Sequence, residues 1–225
     1  MREPLTIKLL WATVVCMLLT LLPGPVVMRL VQWPLEFAAA QDGDALAVLG
    51  RFMPWQLGTH VLVNSLWGLI LAVAPTLWFF GGQLEGMWGA RRYGLFLVAC
   101  LLGAAVVALV LTSTALWLGL TTRSIASGAS GIMYGMLFAL AYITPYQQVR
   151  LMLPPVEMQM RTMAIVFSVI NFVVGVERQG LWVELGFVAG GVLAAWLHIR
   201  YWRGLPPFGR RPPPAKKKKT HLRSV

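Results

Sequence analysis

Residues 93–120 read YGLFLVACLLGAAVVALVLTSTALWLGL, with no charged side chain from Tyr93 to Leu120. Crossing about 30 Å of hydrocarbon takes roughly 20 apolar helical residues, so this stretch suffices for a membrane span, and lipid is the solvent in which the rest must be read. Five other stretches qualify or nearly do: residues 5–27, 57–80, 126–143, 163–176 and 181–199. The two shortest, 126–143 and 163–176, must tilt or sit inside a shell of longer neighbours. The composition agrees, with 58% hydrophobic and 12% charged residues, which excludes a soluble enzyme domain and a disordered chain.

The basic residues supply the orientation. Short cytoplasmic loops collect Lys and Arg. With both ends inside, that side receives Arg2, Lys8, Arg91, Arg92, Arg150, Arg161 and the nine at or beyond Arg200, while the other receives Arg29, Arg51, Arg123 and Arg178. A split of 15 to 4 favours six spans with both termini cytoplasmic. The expected fold is therefore an all-α, six-helix membrane bundle over residues 1–204, followed by a basic tail, 205–225. That tail carries Pro206, Pro207, Pro212, Pro213, Pro214 and the run Lys216 to Lys219, a composition expected to stay disordered and to meet anionic headgroups. Nucleic acid is not expected as a partner, since the net charge of +11 lies largely in this tail.

Cys16 and Cys100 each lie in an apolar run, where cysteine acts as a small hydrophobe, and neither a disulfide framework nor a metal site is expected. The first apolar stretch, followed by Pro23, Gly24 and Pro25, is read as a retained helix rather than a cleaved signal, because no small-residue cleavage pattern closely follows Leu22. The external loop 28–54 holds Trp33, Phe37 and Phe52, and Trp55 follows it directly. It reads as an aromatic anchor at the interface or as a lateral gating element.

The stretch Ser127-Gly128-Ala129-Ser130-Gly131-Ile132-Met133-Tyr134-Gly135 is the one candidate for chemistry. Gly131 and Gly135 have the spacing that lets helices approach closely, and packing alone accounts for them. Ser130, however, opens a short span entered after the polar run Thr121-Thr122-Arg123-Ser124. Water reaches such a position, and neighbouring glycines leave backbone N–H groups available to an oxyanion.

These residues resemble the rhomboid intramembrane serine proteases of bacteria. Gly128, Ser130 and Gly131 match that family's Gly-x-Ser-Gly, and Tyr134 matches the tyrosine one turn beyond its nucleophile. Residues 54–57 (Pro-Trp-Gln-Leu), 77–81 (Leu-Trp-Phe-Phe-Gly), Leu153-Pro154-Pro155 and Arg200-Tyr201-Trp202-Arg203-Gly204 are similar to blocks elsewhere in it. The resemblance implies a bacterial inner-membrane, multi-pass protein without cofactor, with Ser130 as nucleophile, Gly128 and Gly131 at the oxyanion, and Tyr134 packing on a catalytic histidine.

The sequence departs from that pattern where the catalysis resides. Leu69 and Val73 stand where active members carry a histidine and an asparagine, and Val188 stands at the catalytic histidine. His60 and Asn64 lie nine residues too early for the oxyanion register. His198 sits about 15 Å beyond Val188 along the last span, at its cytoplasmic end, and His221 is in the tail. Glu184 lies one turn before Val188 on the same face. Three readings remain for it: a helix-start residue meeting water and the dipole, a buried polar contact, or a surrogate base. A serine without a positioned base loses on the order of 10⁴ to 10⁶ in turnover. The expectation is thus a catalytically deficient pseudoprotease that keeps contact with the bilayer and binds transmembrane segments of other proteins. The alternative is an active serine endopeptidase using Ser130 with His60 or Glu184 as base. A small transporter is disfavoured, because no ionisable pair lies deep in the spans and no inverted repeat is visible. Oligomeric state has no sequence signal.

Overall fold

The computed structural model describes residues 5–19, 24–35, 52–63, 73–121, 125–150 and 157–202. In chain order the helices are α1 (Leu5–Leu19), α2 (Gly24–Leu30), α3 (Gln56–Thr59), α4 (Ala74–Thr76), α5 (Gly82–Trp88), α6 (Ala90–Trp117), α7 (Ser130–Ile143), α8 (Met160–Gln179) and α9 (Leu181–Trp202). A short 3₁₀ turn, His60–Leu62, follows α3, and a π-helical segment, Leu77–Gly81, joins α4 to α5. Between α7 and α8 the strands β1 (Gln148–Arg150) and β2 (Glu157–Gln159) pair antiparallel, with Val149 opposite Met158. Among the described residues the fold is thus helical apart from one small hairpin, which the reading of the chain as all-α did not include.

Among the described residues three helices, α6, α8 and α9, are long and apolar enough to cross a membrane, and α7 is a shorter apolar helix. The second expected span, 57–80, is not one helix: the 3₁₀ turn ends at Val63, whose backbone is extended. The helical run that follows continues past Phe80 through the π segment to Trp88. Hydropathy registers apolar length and is blind to such a break, because the break leaves composition unchanged. The tail 205–225 and most of loop 28–54 lie outside the described residues.

Small residues, not large ones, hold the centre together. A Cβ on Gly190 of α9 would lie 2.5 Å from the Gly103 carbonyl oxygen and 2.7 Å from Ala104 Cα on α6. A Cβ on Gly186 would run into Ala108 of α6, one on Gly131 into Ala104, and one on Gly191 into the Gly131 carbonyl. Backbones this close gain dispersion and Cα–H···O contact where lipid offers no hydrophobic drive for association. Gly131 therefore has a packing role that is complete without catalysis. Larger side chains fill the space around this seam, with Phe80, Phe96, Leu137, Leu140, Met160 and Met163 fully buried.

At the far end from Ser130, α1 is tied down by Glu85. Its carboxylate accepts hydrogen bonds from the Leu5 N–H (2.5 Å), the Thr6 N–H (2.8 Å) and the Thr6 hydroxyl (2.6 Å). It thereby caps orphan donors of a helix start that has no acidic residue of its own. Burial opposes ionisation of Glu85, but the hydrogen bonds from Thr6 and Leu5 outweigh it and hold the carboxyl below its usual 4.5. A depressed carboxyl contributes stability that is present above the unfolded value and lost as pH falls through the folded one. Amide protection in the first turns of α1 should therefore fall when pH drops below about 4.5. In Glu85→Ala it should already be low at neutral pH and fall no further, as read by hydrogen exchange corrected for intrinsic rates. Equal protection factors in the two proteins at neutral pH would remove Glu85 from this role.

Candidate functional site at Ser130 and Glu184

The loop before Ser130 is fixed by hydrogen bonds from three parts of the chain. Ala126 and Gln32 pair through both backbone groups, each at 2.9 Å, the Ser127 N–H donates to Gln179 Oε1 at 2.9 Å, and the Gly128 N–H donates to the His60 carbonyl at 2.9 Å. Gly128 takes φ +101, a conformation in which a Cβ is strained and glycine is not. That turn sets Ser130 as the first residue of α7.

The Ser130 hydroxyl is shielded from solvent and has no hydrogen-bond partner among the described residues. Neither His60 nor Glu184 is therefore engaged with it. His60 is 1% exposed, its ring stacks on Phe187 (centroids 5.6 Å apart, 11° between planes), and Nδ1 lies 3.1 Å from the Gln56 carbonyl in its own turn. It props the Gly128 loop through its main chain. Val73 is buried and apolar, and Val188 is half-buried beside Tyr134. Asn64 and Leu69 lie outside the described residues.

Glu184 is 0% exposed, so the reading of it as a helix-start residue meeting water gives way. The Tyr134 hydroxyl donates to its Oε1 at 2.5 Å, while Oε2 has no partner among the described residues. The carboxyl has room because α8 carries a glycine opposite: a Cβ on Gly175 would collide with it. Gly180, at φ +93 between α8 and α9, turns the chain tightly enough that residues 175 and 184 meet. Tyr134 thus bonds Glu184, in place of the stacking that the resemblance implied.

A cavity of about 20 Å³ lies at this junction, its wall including Ser130, Asn171, Gly175, Arg178 and Glu184. Arg178 also interacts electrostatically with Glu184. The sequence reading brought Ser130, Tyr134 and Glu184 to one end of the bundle, but missed the contribution of α8. Asn171, Gly175 and Arg178 follow an i, i+4, i+7 spacing, one helix face. That pattern was visible, yet Arg178 was counted only as a charge outside. Below the cavity an apolar groove of about 410 Å³ opens between α7, α8 and α9, with Tyr134, Phe138, Ile165, Val169, Phe172 and Val188 in its walls.

The sequence pattern of one family, described as eukaryotic integral membrane protein (DUF1751), matches residues 9–210. The chain belongs to that family. Membership makes it an integral membrane protein of a eukaryotic family, and it overturns two expectations: assignment to the bacterial rhomboid proteases and placement in a bacterial inner membrane. The Gly-x-Ser-Gly string misled because small residues around a serine recur wherever membrane helices pack closely, and here Gly131 serves that packing. A search among curated proteins returns no match.

Proposed function

We propose that this integral membrane protein is non-catalytic and binds transmembrane segments of partner proteins in the groove between α7, α8 and α9. The observation carrying this reading is the shape and lining of that groove. Its back wall, α7, has 14 residues, about 21 Å at 1.5 Å per residue, against the 20 and 22 residues of α8 and α9. A short helix between two longer ones leaves a recess framed by helical ridges, the surface onto which another helix packs. Ser168 puts a hydroxyl into an otherwise apolar wall. Lipid tails have no use for that group, whereas a helix can hydrogen-bond to it at membrane depth. Six crossings with both ends cytoplasmic, a membrane domain over 1–204 and a separate basic tail at 205–225 complete the proposal, supported by the 15 to 4 distribution of basic residues.

Two measurements test it. A photo-crosslinking amino acid at Ile165, exposed on α8, should give discrete adducts with membrane proteins. The same group at Leu95, exposed on α6, should give none. Lipid adducts alone at both positions would defeat the binding reading. A fluorophosphonate probe should leave Ser130 unlabelled beside an active serine hydrolase. Labelling that disappears in Ser130→Ala would overturn the non-catalytic half.

A further inference from the structure

Two polar atoms with no described partner face one small space. Ser130 Oγ and Glu184 Oε2 are both shielded from solvent, both unbonded among the described residues, and both belong to residues lining the 20 Å³ cavity. We propose that this cavity is a binding site for a single water molecule held between the Ser130 hydroxyl and Glu184 Oε2. The volume fits, since a cavity of roughly 10–15 Å³ on this measure admits one water. The chemistry fits as well. Water donates to the carboxylate and exchanges a second hydrogen bond with a hydroxyl that both donates and accepts. Leaving two buried polar atoms unbonded is unfavourable. Other guests are excluded by the same wall: a cation would face Arg178, an anion would face Glu184, and an apolar group would satisfy neither atom.

The water completes a chain from the Tyr134 hydroxyl in the wall of the groove, through Glu184, to Ser130 at the loop. It joins the first turn of α7 to the first turn of α9, with the α8 face of Asn171, Gly175 and Arg178 closing over it.

Radiolytic footprinting of the full-length protein in nanodiscs tests the site. Met133 is buried and lines both this cavity and an apolar one, Met136 is buried against the apolar one but does not line this cavity, and Met87 is exposed. Met133 should be oxidised although buried, and Met136 should stay unmodified because an apolar cavity stays dry. Ser130→Val fills the space and should lower Met133 oxidation at least tenfold, whereas Glu184→Gln keeps a polar partner and should preserve it. An unmodified Met133 beside a modified Met87 in the wild-type protein overturns the proposal, as does an unchanged yield in a folded Ser130→Val. The wild-type measurement decides by itself if that variant does not fold.

Discussion

Gly190→Ala is expected to destabilise the protein by about 3 kcal/mol, the upper part of the usual range for forcing extra volume into a packed core. The added methyl meets the Gly103 carbonyl oxygen and Ala104 Cα, which are backbone atoms. No rotamer change relieves the clash, so α9 must move away from α6 as a body. That movement also draws Gly186 off Ala108 and Gly191 off the Gly131 carbonyl, so the loss spreads along the seam that α9 makes with both α6 and α7. Gly82→Ala supplies the control, because a Cβ there meets nothing within 4 Å, and a surface helical glycine gains up to about 1 kcal/mol from the same change. Unfolding of the two variants in detergent against wild type gives the comparison. Equal stability of Gly190→Ala and Gly82→Ala would mean that α6 and α9 are not in backbone contact.

That seam shows what the sequence made legible and what it withheld. Gly131, Gly135 and the Gly190-Gly191 pair announce close approach, but a glycine does not name the backbone it approaches. Span 93–120 became α6 and span 181–199 became α9 with small changes at the ends, because unbroken apolar length is a strong one-dimensional signal. Span 57–80 has other bounds for the complementary reason: the extended backbone at Val63 and the π segment at Leu77–Gly81 are conformational events inside an apolar run. At the site, Ser130 and Tyr134 stood out by motif. Burial of Glu184 did not, since it depends on Gly175, which is distant along α8 and near only because Gly180 reverses the chain. A charged residue at a helix start ordinarily meets water, and only the tertiary fold decides otherwise. The resemblance erred in pointing to a bacterial protease, because its Gly-x-Ser-Gly and the blocks quoted beside it mark helix packing and helix ends as readily as catalysis.

Tyr134→Phe is expected to cost about 1–3 kcal/mol, because it strips Glu184 Oε1 of its donor at a buried position. The phenylalanine keeps the ring volume, so packing in the groove wall is preserved and the loss reports the hydrogen bond. Glu184→Leu should cost a similar amount for the reciprocal reason, since it orphans the Tyr134 hydroxyl. The double variant removes both ends and leaves neither group unsatisfied, so its loss should be smaller than the sum of the single losses. A coupling of about 1–3 kcal/mol is the range for residues in direct contact. Glu184→Gln, which still offers Tyr134 an acceptor, should lie close to wild type and separates the hydrogen bond from the charge. Additive single and double losses would show that Tyr134 and Glu184 stabilise the bundle independently, and would dissolve the link through which α7 and α9 are joined at the head of the groove. Strong coupling would instead make the pair a fixed strut: a helix entering the groove would meet a tyrosine whose hydroxyl is already held, so selection among partners would fall to the apolar surfaces of Ile165, Val169 and Phe172.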